Sequence, residues 1–244
     1  MRTRLLAPLL LSGAIALGTE SLAAEAPPSA IAVEPLRSPF VVIGEAVSVS
    51  VGKHLSIVEG RYDFRYVRRL ERGGASERCT FEYPVFAPRD ADSLADLIAL
   101  TQPKLHVGAV AYEPEDFALW TEFDEKPPPF LPEDMRVVLL IFRLPRAVLR
   151  DRFTLDVRYF QPHFRFGGRE VSAYLPLLPD FEPFKNEFLY SRPDFTVEFQ
   201  AVDAVHLRRL SVNEAVALDT PQRVKINPIH REIIAVEVAE PPQP

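Results

Sequence analysis

The sequence predicts an all-β protein, an antiparallel β-sandwich of roughly ten to twelve strands with one short helix near residues 92–100. Apolar and polar residues alternate with a period of two in segment after segment, which is typical of strands with one buried face. Helical spacing of apolar residues occurs in one short segment only. Proline is common, with 24 residues against 10 glycines, and proline is excluded from helix interiors and central strands. We therefore expect strands joined by many rigid loops.

Residues 1–24 have the order of features that a secretory signal peptide needs. Arg2 and Arg4 form a basic start, residues 5–17 are mainly apolar, and small residues follow at Ala23 and Ala24. The apolar run is shorter than the roughly 20 residues of a membrane-spanning helix. No cysteine lies at its end to accept a lipid. We expect signal cleavage and export of a bacterial protein to the periplasm or the medium, with an uncleaved N-terminal anchor as the alternative.

Charge and cysteine content exclude several function classes. Removal of the signal peptide takes away Arg2, Arg4 and Glu20, which changes the formal net charge from −6 to −7. An acidic chain is not expected to bind nucleic acid or anionic lipid surfaces through general electrostatic attraction. Cys79 is the only cysteine, so no disulfide can form within the chain. We expect it to be a buried structural thiol, with a disulfide to another chain as the alternative.

The first part of the domain is predicted to consist of strands. Valines occupy one face of residues 45–51, and aromatic residues alternate with charged ones in residues 61–67. Two glycines in residues 71–76 predict a hairpin turn that leads into a third strand at residues 79–85. Each of these strands has one apolar face, so we expect them to cover a common core.

The single predicted helix is short. Leu94, Leu97 and Ile98 recur at helical spacing, and Asp92 or Ser93 can cap the N-terminus. Further acidic residues in the first turn favour a helix that starts at this point.

The second part of the domain predicts further strands after a proline-rich segment. Residues 105–112 are extended, and three consecutive prolines within residues 124–134 indicate either a boundary between subdomains or a long surface loop. Residues 135–144 form an apolar run typical of a strand buried on both faces, and residues 153–159 alternate again. A turn at Gly167 and Gly168 and short strands within residues 170–178, 195–202, 206–212, 223–226 and 233–239 complete the pattern.

These observations divide the chain into four segments. They are a signal peptide at residues 1–24, a proline-rich extended lead-in at 25–39, a β-sandwich domain at 40–238 and a proline-rich tail at 239–244.

No motif marks a catalytic, cofactor-binding or metal-binding residue. A nucleophile elbow, a P-loop and a dinucleotide fingerprint are absent from the sequence. The histidines have no metal-binding spacing, although three of them could converge in space; they are His54, His106, His163, His206 and His230. His54 and His106 lie in strand-like segments, so we expect structural roles for them.

Two acidic clusters are interpreted as capping or solvated residues. Asp90, Asp92 and Asp96 lack the glycine and closing acid of a calcium loop, and we expect them to cap the helix. The second cluster surrounds Trp120 and consists of Glu113, Glu115, Asp116, Asp124 and Glu125. Paired carboxylates beside an aromatic ring can serve glycoside hydrolysis. We expect solvated loops beside a packed tryptophan instead.

The most suggestive local cluster surrounds His163. Its other members are Tyr159, Phe160, Phe164, Arg165, Phe166 and Arg169. If exposed, they would form a surface for a peptide, glycan or protein. We expect them to be the core end of one strand and the tip of a hairpin. The basic strip at residues 206–210 has the same ambiguity and is too short to indicate nucleic acid binding.

The segments RYDFRYV and CTFEYPVFAP, placed shortly after a signal peptide, resemble those of uncharacterised exported bacterial β-sandwich proteins. Such proteins pair an alternating Y-x-F strand with a downstream strand that ends in aromatic residues and proline. The resemblance covers residues 45–90, and this chain departs from it at Arg65, Tyr66 and Val67, where the family has an asparagine after the second aromatic. It implies an extracytoplasmic sandwich and identifies no site residues.

Three function classes are compatible with the sequence. The leading hypothesis is a non-enzymatic binding or structural module of the cell envelope, whose partner is a protein or an envelope component. The alternative is a hydrolase or carbohydrate-active module whose site is assembled only in three dimensions, and carboxylates about 5–10 Å apart in one pocket would favour it. A carrier with an apolar cavity between its sheets is the third class. No feature of the sequence predicts an oligomeric state.

Overall fold

A computed structural model describes residues 40–66, 78–121, 130–149, 151–177, 195–210, 215–228 and 233–241. The predicted signal peptide and lead-in lie outside these residues. So do most of the proline-rich loop at 124–134 and the end of the tail. No helix in the described part of the chain is long and apolar enough to cross a membrane.

The described residues form fifteen strands, one α-helix (α1, Leu94–Thr101) and a short 3₁₀ helix at Arg146–Val148. The all-β prediction is therefore confirmed. The strand number exceeds the prediction, since strands as short as three residues leave little alternation to recognise. The strands are β1 Phe40–Val51, β2 Leu55–Tyr66, β3 Arg78–Pro88, β4 Lys104–Val107, β5 Val110–Tyr112, β6 Asp116–Leu119, β7 Met135–Pro145, β8 Arg152–Pro162, β9 Phe164–Phe166, β10 Arg169–Tyr174, β11 Phe195–Ala201, β12 His206–Arg209, β13 Ala215–Thr220, β14 Arg223–Asn227 and β15 Ile234–Ala239.

The strands are arranged in three sheets. Sheet A has eight strands in the order β13-β14-β11-β1-β2-β8-β4-β5, sheet B has the order β3-β7-β6, and sheet C has the order β12-β15-β10-β9. Among the described strand pairs, β1 and β11 are parallel, which departs from a purely antiparallel sandwich. A parallel pair needs a long crossover connection, and these two strands are too distant in the sequence for local patterns to predict their pairing.

Alternation within the strands places the core between sheet A and the other two sheets. Val47, Val49 and Val51 of β1 are buried, as predicted, and so are Tyr62 and Phe64 of β2. The main hydrophobic cluster combines inward residues of sheet A with residues of sheets B and C and of α1. A second cluster lies on the other faces of sheets B and C and includes Trp120. The long run of β7 contributes to both clusters, as expected for a strand buried on both faces.

Two local predictions have different outcomes. The hairpin predicted at residues 71–76 is wrong, because β2 pairs with β1 and β8, whereas β3 pairs with β7 in another sheet. The turn residues themselves lie outside the described residues. The helix is confirmed, and its cap is Ser93, whose Oγ accepts a hydrogen bond from the Asp96 backbone N–H at 3.1 Å. Asp92 instead forms an ion pair with Arg136.

Candidate functional site

Polar side chains lie in the interface between sheets A and C. Glu45 of β1, Ser56 of β2, Gln161 of β8 and Ser172 of β10 are each at most 1% exposed. Each one occupies an inward position of its strand, where apolar residues are expected. Buried polar groups need hydrogen-bond partners inside the protein, so these residues identify where the structure uses specific chemistry.

Ser56, His163 and Glu170 form a serine–histidine–acid arrangement. The Ser56 Oγ lies 2.9 Å from His163 Nε2, and His163 Nδ1 lies 3.1 Å from Glu170 Oε1. The Ser56 Oγ also lies 2.7 Å from the Ser172 Oγ. We call these four residues the serine–histidine network. It joins β2 of sheet A to β10 of sheet C, and His163 is supplied by the connection between β8 and β9.

The hydrogen bonds of the network fix the direction of its protons. An ionised Glu170 only accepts, so His163 Nδ1 carries the proton and donates it to Glu170. The Nε2 atom then accepts from the Ser56 hydroxyl, which accepts in turn from Ser172. Burial lowers the pKa of His163 below its ordinary value, although the hydrogen bond and charge of Glu170 oppose this shift. The neutral imidazole is therefore the form that the network favours.

Two features separate this arrangement from a working nucleophile. Ser56 has no exposed surface, and the His163 side chain is 1% exposed, so no substrate reaches either residue in this conformation. Ser56 also lies within β2, paired with β1 on one side and with β8 on the other. The backbone N–H groups of β2 beside Ser56 are thus engaged in the sheet and are not free to stabilise an oxyanion.

A second buried network surrounds Glu45. The Tyr174 hydroxyl donates to Glu45 Oε1 at 2.5 Å, and the Leu177 backbone N–H lies 3.1 Å from Glu45 Oε2. The Tyr62 hydroxyl lies 2.8 Å from that of Tyr174 and 2.6 Å from that of Tyr83. Burial is the main cause that raises the pKa of each of these tyrosines well above its usual value, and the charge of Glu45 adds to it. These hydroxyls stay protonated, and that of Tyr174 holds the carboxylate directly.

The outward face of sheet A carries an open trough of about 470 Å³. Its floor consists of Ala46 and Ser48 on β1, whose neighbour Val47 points into the core. Small side chains on the central strand and long ones on the flanking strands produce this shape. In register, Ser48 lies between Glu59 of β2 and Glu198 of β11. Those glutamates are about 10 Å apart at the backbone, because each strand is about 4.8 Å from the next.

Both glutamates of the trough are held by arginines. The Arg158 Nε donates to Glu59 Oε1 at 3.1 Å, and Arg223 donates to both oxygens of Glu198. A bidentate guanidinium pair is geometrically fixed and leaves few free lone pairs on the carboxylate. These two acids are therefore positioned as charged walls of the trough.

Three further charged or titratable side chains line the same trough. Arg61 lies opposite Asp156 in register, and His106 lies beside Asp156 on the next strand. None of the ion pairs within the described residues involves Arg61, although its neighbours carry carboxylates. The trough therefore presents an available guanidinium among groups of both charges.

The other histidines considered in the sequence analysis lie in different parts of the fold. The His54 side chain is 75% exposed, with Nδ1 3.8 Å from Glu170 Oε1, and the residue lies between β1 and β2, so only its predicted strand position is wrong. His106 lines the trough, and His206 begins β12. His230 lies outside the described residues. Within those residues, no group of three or more histidine, cysteine or acidic side chains could hold a metal ion.

Members of the acidic clusters form ion pairs and hydrogen bonds where they are described, but the helix cap is Ser93 and not an aspartate, as was predicted for Asp90, Asp92 and Asp96. Glu115 pairs with Arg78 and Arg143, and Trp120 is buried in the second hydrophobic cluster. Asp96 bonds to the capping Ser93. Asp124 and Glu125 lie outside the described residues.

Cys79 is partly buried, and burial raises the pKa of its thiol.

The aromatic cluster around His163 divides between two faces. Tyr159 and Phe164 are buried, as the core interpretation predicted, whereas Phe166 is 36% exposed at the β9–β10 tip. Phe160 points outward under the Arg158 guanidinium, 5.3 Å from the ring centroid. Gly167 and Gly168 form the predicted turn, with positive φ at both. In the basic strip, Arg209 pairs with Asp219.

Comparisons with known proteins identify no family for this chain. No family model matches, and no curated protein matches. Among solved structures, yeast LTA4 hydrolase is similar with a TM-score of 0.39 and 11% identity, over 84% of this chain. The match covers 30% of the hydrolase chain. A likeness of this size carries no inference about activity.

The buried networks have a signal in the sequence that period-two analysis can reveal. Glu45 is in phase with the valines of β1, and Ser56 is in phase with Val58 and Tyr62 of β2. A polar residue in phase with an apolar face predicts a buried hydrogen bond. The partners could not be predicted, since they come from distant strands.

Proposed function

We propose that this chain is an exported, non-enzymatic binding module of the bacterial cell envelope, and that its ligand lies in the trough on the outward face of sheet A. The observation that carries the proposal is the available guanidinium of Arg61 in a trough whose floor is formed by Ala46 and Ser48. A groove with fixed charged walls gives specificity at little ordering cost. The signal peptide predicted at residues 1–24 supports export.

The lining of the trough favours an extended peptide segment of a protein partner over a glycan. No phenylalanine, tyrosine or tryptophan is among its described lining residues, and the rings of these residues are the flat, apolar surfaces on which ligands stack. The floor follows one strand, so an extended chain of a few residues fits along it. Walls of both charges match a peptide that carries both an acidic and a basic side chain.

Selection from a displayed peptide library tests this proposal. We expect peptides with an acidic residue to be enriched, and Arg61→Ala to weaken their binding about tenfold or more, because hydrogen bonds to charged groups contribute about 1.5–3 kcal/mol. Arg165→Ala is the matched control, since Arg165 is an exposed arginine on β9 that does not line the trough. Equal affinities of the two variants, or selected peptides without acidic residues, would contradict the proposal.

A hydrolase is the second candidate function, and the serine–histidine network favours it. The distances of 2.9 Å and 3.1 Å are those of a nucleophile, base and orienting acid. Labelling with a fluorophosphonate tests this candidate. Modification of Ser56 that is lost in His163→Gln would support an enzyme. We expect no modification, because Ser56 is buried in this conformation.

A further inference from the structure

We propose that the serine–histidine network is an acid-sensitive latch, which joins β10 to β2 while His163 is neutral and releases the β9–β10 corner of sheet C when His163 is protonated. This inference is independent of the ligand proposed for the trough. It assigns a role to a buried titratable group in a β-sandwich that we propose to be exported.

The latch is the hydrogen-bonded contact between Ser56 and Ser172 at the interface of sheets A and C. Ser56 belongs to sheet A and Ser172 to sheet C, and their hydroxyl oxygens lie 2.7 Å apart with no exposed surface on either residue. The His163 backbone N–H donates to the His54 carbonyl at 3.3 Å, which fixes the imidazole beside the turn between β1 and β2. The network thus connects three separate chain segments at one point.

Protonation reverses the order of hydrogen bonds in the network. A proton on Nε2 turns that atom into a donor, so the Ser56 hydroxyl must accept from it and direct its own proton toward Ser172. Ser172 then loses its acceptor, and no other hydrogen bond of its hydroxyl is found within the described residues. The Ser172 oxygen still accepts from Ser56, but a buried O–H donor without an acceptor is destabilised relative to one in water.

The groups around His163 oppose a buried cation only in part. Glu170 of β10 stabilises the charge, whereas burial and the neighbouring His54 disfavour it. The Lys53 backbone also favours the charged form through a hydrogen bond, and the Lys53 ammonium group pairs with Glu240. Exposure of the imidazole to water removes the cost of burying its charge, and the partly exposed Glu170 carboxylate stays beside it.

The position of the latch makes a local opening feasible. β9 is the edge strand of sheet C, and β10 lies next to it. The other end of β10 is held separately, because Tyr174 donates to the buried Glu45. Release of Ser172 from Ser56 therefore opens one corner, while the Tyr174 end stays attached.

Linkage gives the direction of the effect. A histidine whose pKa is lowered in the closed state contributes stability above its ordinary pKa, and this stability is lost as the pH falls toward the closed-state pKa. The open form binds the additional proton in that range. One proton changes the opening equilibrium by up to about tenfold per pH unit.

Hydrogen exchange of the purified protein at about pH 7 and about pH 5 tests the latch, after correction for the intrinsic pH dependence of exchange. We expect the opening constant of peptides from β9–β10 to rise about tenfold in the wild type, while peptides from β11 do not change. His163→Gln should abolish this rise, because glutamine does not titrate. His54→Gln, the matched control, should retain it.

A histidine titration of the folded wild type by NMR keeps the test independent of the stability of the variant. We expect His163 to titrate below its ordinary pKa and the opening of β9–β10 to follow the same midpoint. The latch is excluded if His163 titrates at or above that value. It is also excluded if His163→Gln shows the acid response of the wild type, or if His54→Gln abolishes it.

Discussion

Gly60 shows how closely one backbone position is packed against a side chain. It lies on the inward face of β2, where a Cβ atom would be 2.3 Å from the Tyr62 Oη and 2.6 Å from its Cζ. The Tyr62 ring has no exposed surface, and its hydroxyl bonds to Tyr83 and Tyr174. The ring therefore cannot move without loss of these hydrogen bonds.

We expect Gly60→Ala to lower the free energy of unfolding by about 1–3 kcal/mol, as overpacking of a core does. Urea denaturation measures the change. Gly44→Ala is the control, because its Cβ would be 3.4 Å from Asp63 Oδ2, which is ordinary contact. Equal stabilities of the two variants would show that Tyr62 adapts freely and that the packing at Gly60 is not restrictive.

At the scale of elements, the turn between β9 and β10 depends on two left-handed residues. Gly167 has a φ of 57° and Gly168 a φ of 79°, and nothing lies within 4 Å of a Cβ built at either position. No described neighbour would clash with a side chain at these positions. Glycine is therefore required for its backbone conformation and not for lack of space. Paired positive φ values produce the turns that join tight hairpins.

We expect Gly168→Ala to destabilise the protein by about 1–2 kcal/mol, which is what a left-handed conformation costs an L-residue with a Cβ. Gly168→Asn should cost less, because asparagine visits this region more readily. Thermal unfolding of both variants measures the difference. An alanine variant as stable as the asparagine variant would mean that the turn changes its type.

Strands and turns could be predicted where their signals lie within a short stretch of sequence. The alternation in residues 61–67 and the glycine pair at 167–168 are short-range signals, and the glycine pair and the described part of the alternation agree with the structure. Pairing is not local, since β2 joins β8 and β3 joins β7 across long stretches of chain. The serine–histidine network depends on three such distant segments. Ser56 could be predicted to be buried from its phase with Val58, but its meeting with His163 and Ser172 could not.

At the scale of the whole molecule, the core combines an apolar sandwich with a buried polar layer. Tyr62, Tyr83, Tyr159 and Tyr174 are all fully buried beside Glu45. Tyr62, Tyr83 and Tyr174 bond to one another and to the carboxylate, and Tyr159 donates to Gln161, so the layer depends on the complete assembly of sheets A, B and C. Partial unfolding would expose several titratable hydroxyls together, which ties the stability of the fold to alkaline pH.

Burial is the largest cause that raises the pKa of these four tyrosines well above 10. The folded state keeps their protons when an unfolded chain would release them at about pH 10. Stability is therefore complete below that pH and is lost as the pH rises above it. We expect a steep alkaline unfolding transition in which tyrosinate absorbance and circular dichroism change together.

The steepness should reflect the number of buried tyrosines. Each one contributes up to about a tenfold change in the unfolding constant per pH unit, so Tyr83→Phe should make the transition measurably less steep. Tyr112→Phe, at a half-buried site outside the cluster, is the control. Gradual ionisation of the cluster with unchanged circular dichroism would show that the hydroxyls reach water in the folded state. It would contradict a closed polar layer, because a buried phenolate has no compensating cation among its described hydrogen-bond partners.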